Sequence, residues 1–256
     1  MTRDEVIELM AWMKGRVTGL ALRSVNEIIA IAMSYSFLGR EFTFDWSKDL
    51  DDAVNDILIQ FTDAVLEETG DAVASRVEEE DREQVLAYIG RPQDGEDPEQ
   101  RLDKHGSQLK TLLEAYLAVC FAMNLDRERI LADATLFLSS PNQYQDMRDA
   151  FFDHDYKSRL IQQGGAHFGR GNPDNPIIGA TLVANTMLNQ AFQYDTLLTF
   201  GKDPSIIGYK VHRGSGYDCE YCDELCVGIH PLDEIVLPAH PRCMCYMTPV
   251  RASDIL

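Results

Sequence analysis

Five of the chain's six cysteines lie between Cys219 and Cys245, arranged as Cys-x2-Cys, a 17-residue spacer, and His-x2-Cys-x-Cys. Thiolates and imidazoles at this spacing form the donor set of a tetrahedral zinc ion, which needs two short chelating pairs joined by a loop. Cys219 and Cys222 are the first pair, with Glu220 and Tyr221 as the turn that aims both sulfurs at one point. His240 and Cys243 are the second pair, and Pro241 stiffens the turn between them. Four such ligands fill a structural site, whereas a catalytic zinc keeps an open position beside an acid or base. Asp223, Glu224 and His212 are near in sequence, but so many thiols favour a filled sphere.

Cys245 is a fifth candidate, two residues beyond Cys243 and on the same side of an extended segment. Spacing alone leaves either sulfur as the fourth ligand. Cys226 and His230 follow Cys222 at steps of one helical turn, so a helical segment there would assemble a different set. The outer pairs are preferred, because 223–238 is long enough to fold back. The competing reading of the thiols is two disulfides and a spare. The opening MTRDEVIEL carries acids before any apolar run and does not read as a secretory signal. A reducing cytosol is therefore expected, and there clustered thiols act as metal ligands before they form disulfides.

The elements that must position these donors are mostly helices. Val6, Met10, Met13, Val17 and Leu20 step at helical period, and Ile28 and Ile31 continue the stripe. A second stripe runs Leu50, Val54, Ile57, Phe61 and Val65, and a third Leu109, Leu113, Tyr116, Cys120 and Met123. Cys120 reads there as a small buried apolar residue. Trp12 and Trp46 are expected in the core. Asp97-Pro98, Ser140-Pro141 and Asn175-Pro176 place a capping side chain before a proline at the first helical position. Gly90 and Gly201 follow apolar runs where a left-handed turn closes a helix. Residues 90–97 read as a loop, and 177–200 as one more helix.

After Ser205 the pattern changes to short β-branched or aromatic runs, predicting strands at 206–213, 234–237 and 244–250. So small a module cannot hold its own fold by apolar burial, and metal binding is expected to supply its folding free energy. The fold expected is mainly α: a helical bundle body over 1–175, and a small α+β zinc-stabilised module over 176–256. No repeat at solenoid spacing occurs.

Charge limits the partners. Lys and Arg total 23 against 42 Asp and Glu, a net −19 that opposes a broad non-specific DNA-binding face. The acids at 78–81 read as a solvated helix face rather than a metal site. The apolar run Leu112–Leu125 is too short to span a bilayer and is broken by Glu114. The glycine-rich stretch 164–176 lacks the Gly-Lys-Ser/Thr ending of a phosphate loop and reads as a connector. Asp153-His154-Asp155 reads as a loop or helix end rather than a catalytic set. No Gly-x-Ser-x-Gly elbow, Walker loop or His-Glu-x-x-His helix is present.

Cys219-x2-Cys222 followed by His240-Pro241-Arg242-Cys243-Met244-Cys245 resembles the minor head proteins of tailed bacteriophages, of the phage Mu F-like head-morphogenesis type. The likeness covers the last seventy to eighty residues, roughly, with a helix like 180–200 and a short strand like 209–213 before the first cysteine. Met244 stands where the family usually has arginine, and Gly216-Tyr217-Asp218 where an Asp-x-Arg-like approach is usual. Contacts made by those arginines are not expected here. The resemblance implies a virion or assembly component with no reaction of its own, partnered by portal, coat or scaffold proteins. It would reside in the bacterial host cytoplasm during assembly and then in the virion head. The alternatives are a treble-clef nuclease of the HNH class and a zinc-module adaptor outside phages. The nuclease class needs a His/Asn set on a ββα unit, and none follows a strand at suitable spacing.

Overall fold

The computed structural model describes residues 1–35, 42–93, 95–139, 175–214, 218–241 and 243–254. The Ser140-Pro141 helix start, Asp153-His154-Asp155, most of the glycine-rich stretch, Gly216, Tyr217 and Arg242 lie outside them. The chain is mainly helical. In order run α1 (Arg3–Ala32), α2 (Lys48–Ala74), α3 (Glu79–Ile89), α4 (Pro98–Ala122), α5 (Arg127–Ser139) and α6 (Pro176–Gly201). Then follow β1 (Ile206–His212), the short α7 (Glu220–Leu225) and β2 (Tyr246–Arg251). No helix among the described residues is long and apolar enough to cross a membrane.

Local chemistry sets the helix ends. Thr2 and Glu5 form a reciprocal capping box at the start of α1: Glu5 N–H donates to Thr2 Oγ1, and Thr2 N–H to Glu5 Oε2. Asn175 Oδ1 accepts from the N–H groups of Ile177 and Ile178 at 3.0 and 3.2 Å, and Pro176 opens α6 as its sequence predicts. Neither Gly90 nor Gly201 is left-handed; Gly90 sits at φ −80°, ψ −4°. Asn124 takes the left-handed position instead, at φ 54°, and Leu125 N–H reaches back to the Cys120 carbonyl at 3.0 Å. This Schellman closure ends α4 before its stripe reaches Met123. Met123 is therefore exposed rather than buried as expected.

The chain forms two compact units. One comprises 1–14, 67–98 and 182–256, and the other 15–66 and 99–181. Helices α1, α2, α4 and α6 contribute residues to both.

The second unit is built on apolar stripes. Leu50, Val54, Ile57, Phe61 and Val65 of α2, and Leu109, Leu113, Tyr116 and Cys120 of α4, are all buried. Each such side chain contributes about 1.5–3 kcal/mol when taken fully from water. Phe42 packs edge-on against Phe44 and Phe121, and Glu114 Oε2 accepts from the Phe44 N–H at 2.7 Å. The Tyr116 hydroxyl donates to the Ile130 carbonyl at 2.7 Å, tying α4 to α5. His105 is buried with Nδ1 3.0 Å from Gln108 Oε1. Its imidazole fits only because residue 179 is glycine: a Cβ there would lie 2.2 Å from the ring. Trp46 stays over a third exposed, edge-on to Tyr35, which corrects its expected core place.

The first unit holds the C-terminal segment. Val6, Leu9 and Met13 of α1 are buried, while Trp12, off that face, is about half exposed and not in the core. Tyr88 of α3 stacks on Tyr194 of α6 at 4.3 Å. The acids Glu78, Glu80 and Asp81 converge on the Lys202 ammonium, so this face is ion-paired. The hydrogen bond to Asp81, then that to Glu80, raises the lysine's pKa well above its usual range.

β1 and β2 pair antiparallel, from Ile206 opposite Arg251 to His212 opposite Tyr246, with a bulge between Ile206 and Gly208. Pro249 stands opposite Tyr209, whose backbone N–H and carbonyl turn the other way and bond His230 at 2.9 and 2.8 Å. A proline is tolerated in β2 because its partner asks for no ladder bond there. Gly208 allows this approach, since a Cβ on it would come within 2.7 Å of the His230 carbonyl oxygen. The strand expected at 234–237 does not form. The buried Tyr209 hydroxyl donates to the Glu234 carbonyl at 2.6 Å and accepts from Val236 N–H at 3.3 Å, doing a partner strand's work.

Candidate metal centre

Cys219 caps the N-terminus of α7 with extended backbone, and its sulfur accepts from the Cys222 N–H at 3.4 Å. One helical turn brings Cys222 beside it, buried against the C-terminal core of Leu197, Phe200, Tyr209, Val211 and Met247. His240 arrives from the long loop. Its Nε2 lies 3.5 Å from Cys219 Sγ and 3.2 Å from Cys222 Sγ. A tetrahedral ion bound by one sulfur and one imidazole nitrogen keeps those two atoms about 3.5 Å apart. The other ring nitrogen sets the tautomer: Nδ1–H donates to the Pro241 carbonyl at 2.7 Å, so Nε2 faces the thiols with its lone pair.

Cys243 and Cys245 approach from the other side. Their sulfurs lie within 4.8 Å of each other and of Cys222 Sγ, just as Cys219, Cys222 and His240 lie within 4.8 Å of one another. All five predicted donors are thus brought together in two groups of three, and Cys222 belongs to both. These groups can hold a metal ion. All six cysteines are free thiols.

The electrostatics suit a cation. Burial, followed by its crowding against neighbouring thiols, pushes the Cys222 thiol far up, and burial also raises Cys243. Cys219 is held below its usual value, chiefly by the Cys222 N–H and further by the Arg213 guanidinium. Several thiolates cannot share so apolar a space unless a positive ion replaces their protons. Arg213 also donates to the Cys219 carbonyl at 3.0 Å and to Asp223 Oδ1 at 2.7 Å, which locks the Cys-x2-Cys turn.

The remaining nearby candidates are otherwise engaged. Cys226 caps α7 at its C-terminal end and packs against the core, apart from both groups. His230 donates from Nε2 to the Leu225 carbonyl at 2.7 Å, and its ring stacks on Tyr209. His212 Nε2 lies 2.7 Å from Thr248 Oγ1, its ring on Tyr246. The helical alternative built on Cys226 and His230 is not the one formed, because α7 ends at Leu225.

Spacing in the sequence does not reveal three supports. Asn189 and Gln193, one turn apart on α6 and both buried, donate to the carbonyls of Cys243 and Cys245. Gly214 lies against the Met244 carbonyl, where a Cβ would come within 1.5 Å of the oxygen. The visible trace is two amides one helical turn apart, Asn189 and Gln193, since buried amides need partners. The partners lie more than fifty residues away. Set against family models, curated proteins and solved structures, the chain matches none of them.

Proposed function

We propose that this chain is a structural assembly protein of tailed-phage heads, with its C-terminal segment knotted by one structural zinc ion. Cys219, Cys222 and His240 hold the ion together with one of Cys243 and Cys245. The observation that carries this reading is the meeting of five sulfur and imidazole donors in two groups sharing Cys222. Thiolates with one imidazole select zinc among the common divalent ions, and a sphere filled by protein atoms leaves no place for substrate. Zinc then acts as a cross-link: its binding free energy, on the order of 10 kcal/mol, is the folding free energy of the segment it closes.

The head-assembly role rests on the likeness carried by His240-Pro241-Arg242-Cys243-Met244-Cys245. The net charge of −19 suits docking on portal, coat or scaffold protein better than on DNA. The test is co-purification of the zinc-loaded chain with a tailed-phage portal protein, with and without a chelator. The expected result is association that is lost when zinc is removed. Absence of association, together with magnesium-dependent plasmid nicking that His212→Ala abolishes, would replace this reading with a nuclease.

A further inference from the structure

We propose that Asn189 and Gln193 are positioning residues of the metal centre, and that α6 sets the Cys243–Cys245 half of it before any ion binds. This inference rests on the zinc reading above. The geometry is that of a surrogate strand. In an extended segment the carbonyls of residues two apart point to one side, and the carbonyl between them points to the other. The Cys243 and Cys245 carbonyls accept from the Asn189 and Gln193 amides, the latter at 2.9 Å. The Met244 carbonyl points at Gly214, where only a residue without Cβ fits.

A third bond fixes the amides to each other: Gln193 Nε2 also donates to Asn189 Oδ1 at 3.1 Å. Both side chains are nearly water-free, at 5% and 1% exposure, so the two carbonyls have no solvent to turn to. Bonded on one edge and packed against Gly214 on the other, the segment directs the Cys243 and Cys245 side chains to the same face, toward Cys222. The opposite half has a different support. Cys219 and Cys222 are held by a six-residue helix and by Arg213, and His240 by its own neighbour's carbonyl. The ion therefore joins this separately supported half to sulfurs already set by the helix.

Outer partners of this kind, when removed, weaken metal binding about 10- to 100-fold. The experiment measures zinc affinity of the full chain by competition with a chromophoric chelator, alongside the visible spectrum of the cobalt-substituted form. Asn189→Leu and Gln193→Met keep volume and remove the donors. Thr196→Val on the same helix is the control, since its hydroxyl bonds only the Phe192 carbonyl. The expected result is about 10-fold weaker zinc binding for each single variant and a diminished thiolate band with cobalt, with the control unchanged. Should the amide variants not fold, Gly214→Ala, which leaves α6 intact, carries the same expectation from the opposite edge. Unaltered affinity in folded variants, even with a lowered melting temperature, would make the amides merely structural and overturn the proposal. Failure of the wild-type chain to bind zinc would overturn the metal reading as well.

Discussion

Cys120 and Cys222 are both buried cysteines, and they do opposite things. Cys120 lies on the apolar stripe of α4 among Leu113, Tyr116 and Leu117, in a unit whose order comes from removing hydrocarbon from water. Burial raises its thiol and keeps it inert. Cys222 is as deeply buried, but it faces three other sulfurs and an imidazole nitrogen. There the buried atoms repel one another as anions and need a cation to be ionised at all. Burial by itself does not separate a packing cysteine from a ligand; the second thiol within reach does.

The contrast is broken most directly by chelation. Stripping the ion is expected to remove on the order of 10 kcal/mol from the C-terminal segment. Proteolysis near Cys219 should become rapid, while the helical circular dichroism of the unit formed by 15–66 and 99–181 persists. Loss of both together would mean that the stripes do not hold that unit alone.

The converse perturbation is Leu113→Ala. Leu113 is fully buried, so its truncation should cost about 3 kcal/mol of global stability and leave metal stoichiometry untouched. Denaturant melts and metal content measured on the same sample check both halves. A smaller effect belongs to Tyr209→Phe, which removes the hydroxyl serving Glu234 and Val236. About 1–2 kcal/mol is expected, confined to the C-terminal segment and visible as faster amide exchange at Val236.

The gentlest effect is a slope with pH. Burial lowers the pKa of His105, and its bond to Gln108 only partly restores it. The unfolded chain therefore binds this proton more readily than the folded one, and stability rises with pH. The contribution is complete above the unfolded value of about 6.5 and is lost progressively as pH falls below it. His105→Gln should flatten the melting-temperature profile between pH 7 and pH 5, in about that window. A slope unchanged by the substitution would assign it to other groups.

How much was legible in the sequence follows the same contrast. Stripes whose partners lie within a few turns were readable, and the α2 residues from Leu50 to Val65 are buried as their period requires. The donors were readable because ligand chemistry restricts residue type. What escaped depended on distant contacts. Met123 is on period but falls just past the end of α4, where the Asn124 turn closes the helix. The 234–237 run has strand composition, yet one tyrosine hydroxyl takes its backbone bonds. Asn189 and Gln193 look like ordinary helix polars until Cys243 and Cys245, more than fifty residues on, are folded beneath them.

The central claim is that a single ion joins the two donor groups through Cys222. Elemental analysis of natively purified chain, beside Cys222→Ser, tests it most directly. The account predicts one zinc per wild-type chain, and little or none in the variant, whose change damages both groups at once. Wild-type protein that carries no metal, with its C-terminal thiols linked as disulfides, would contradict it.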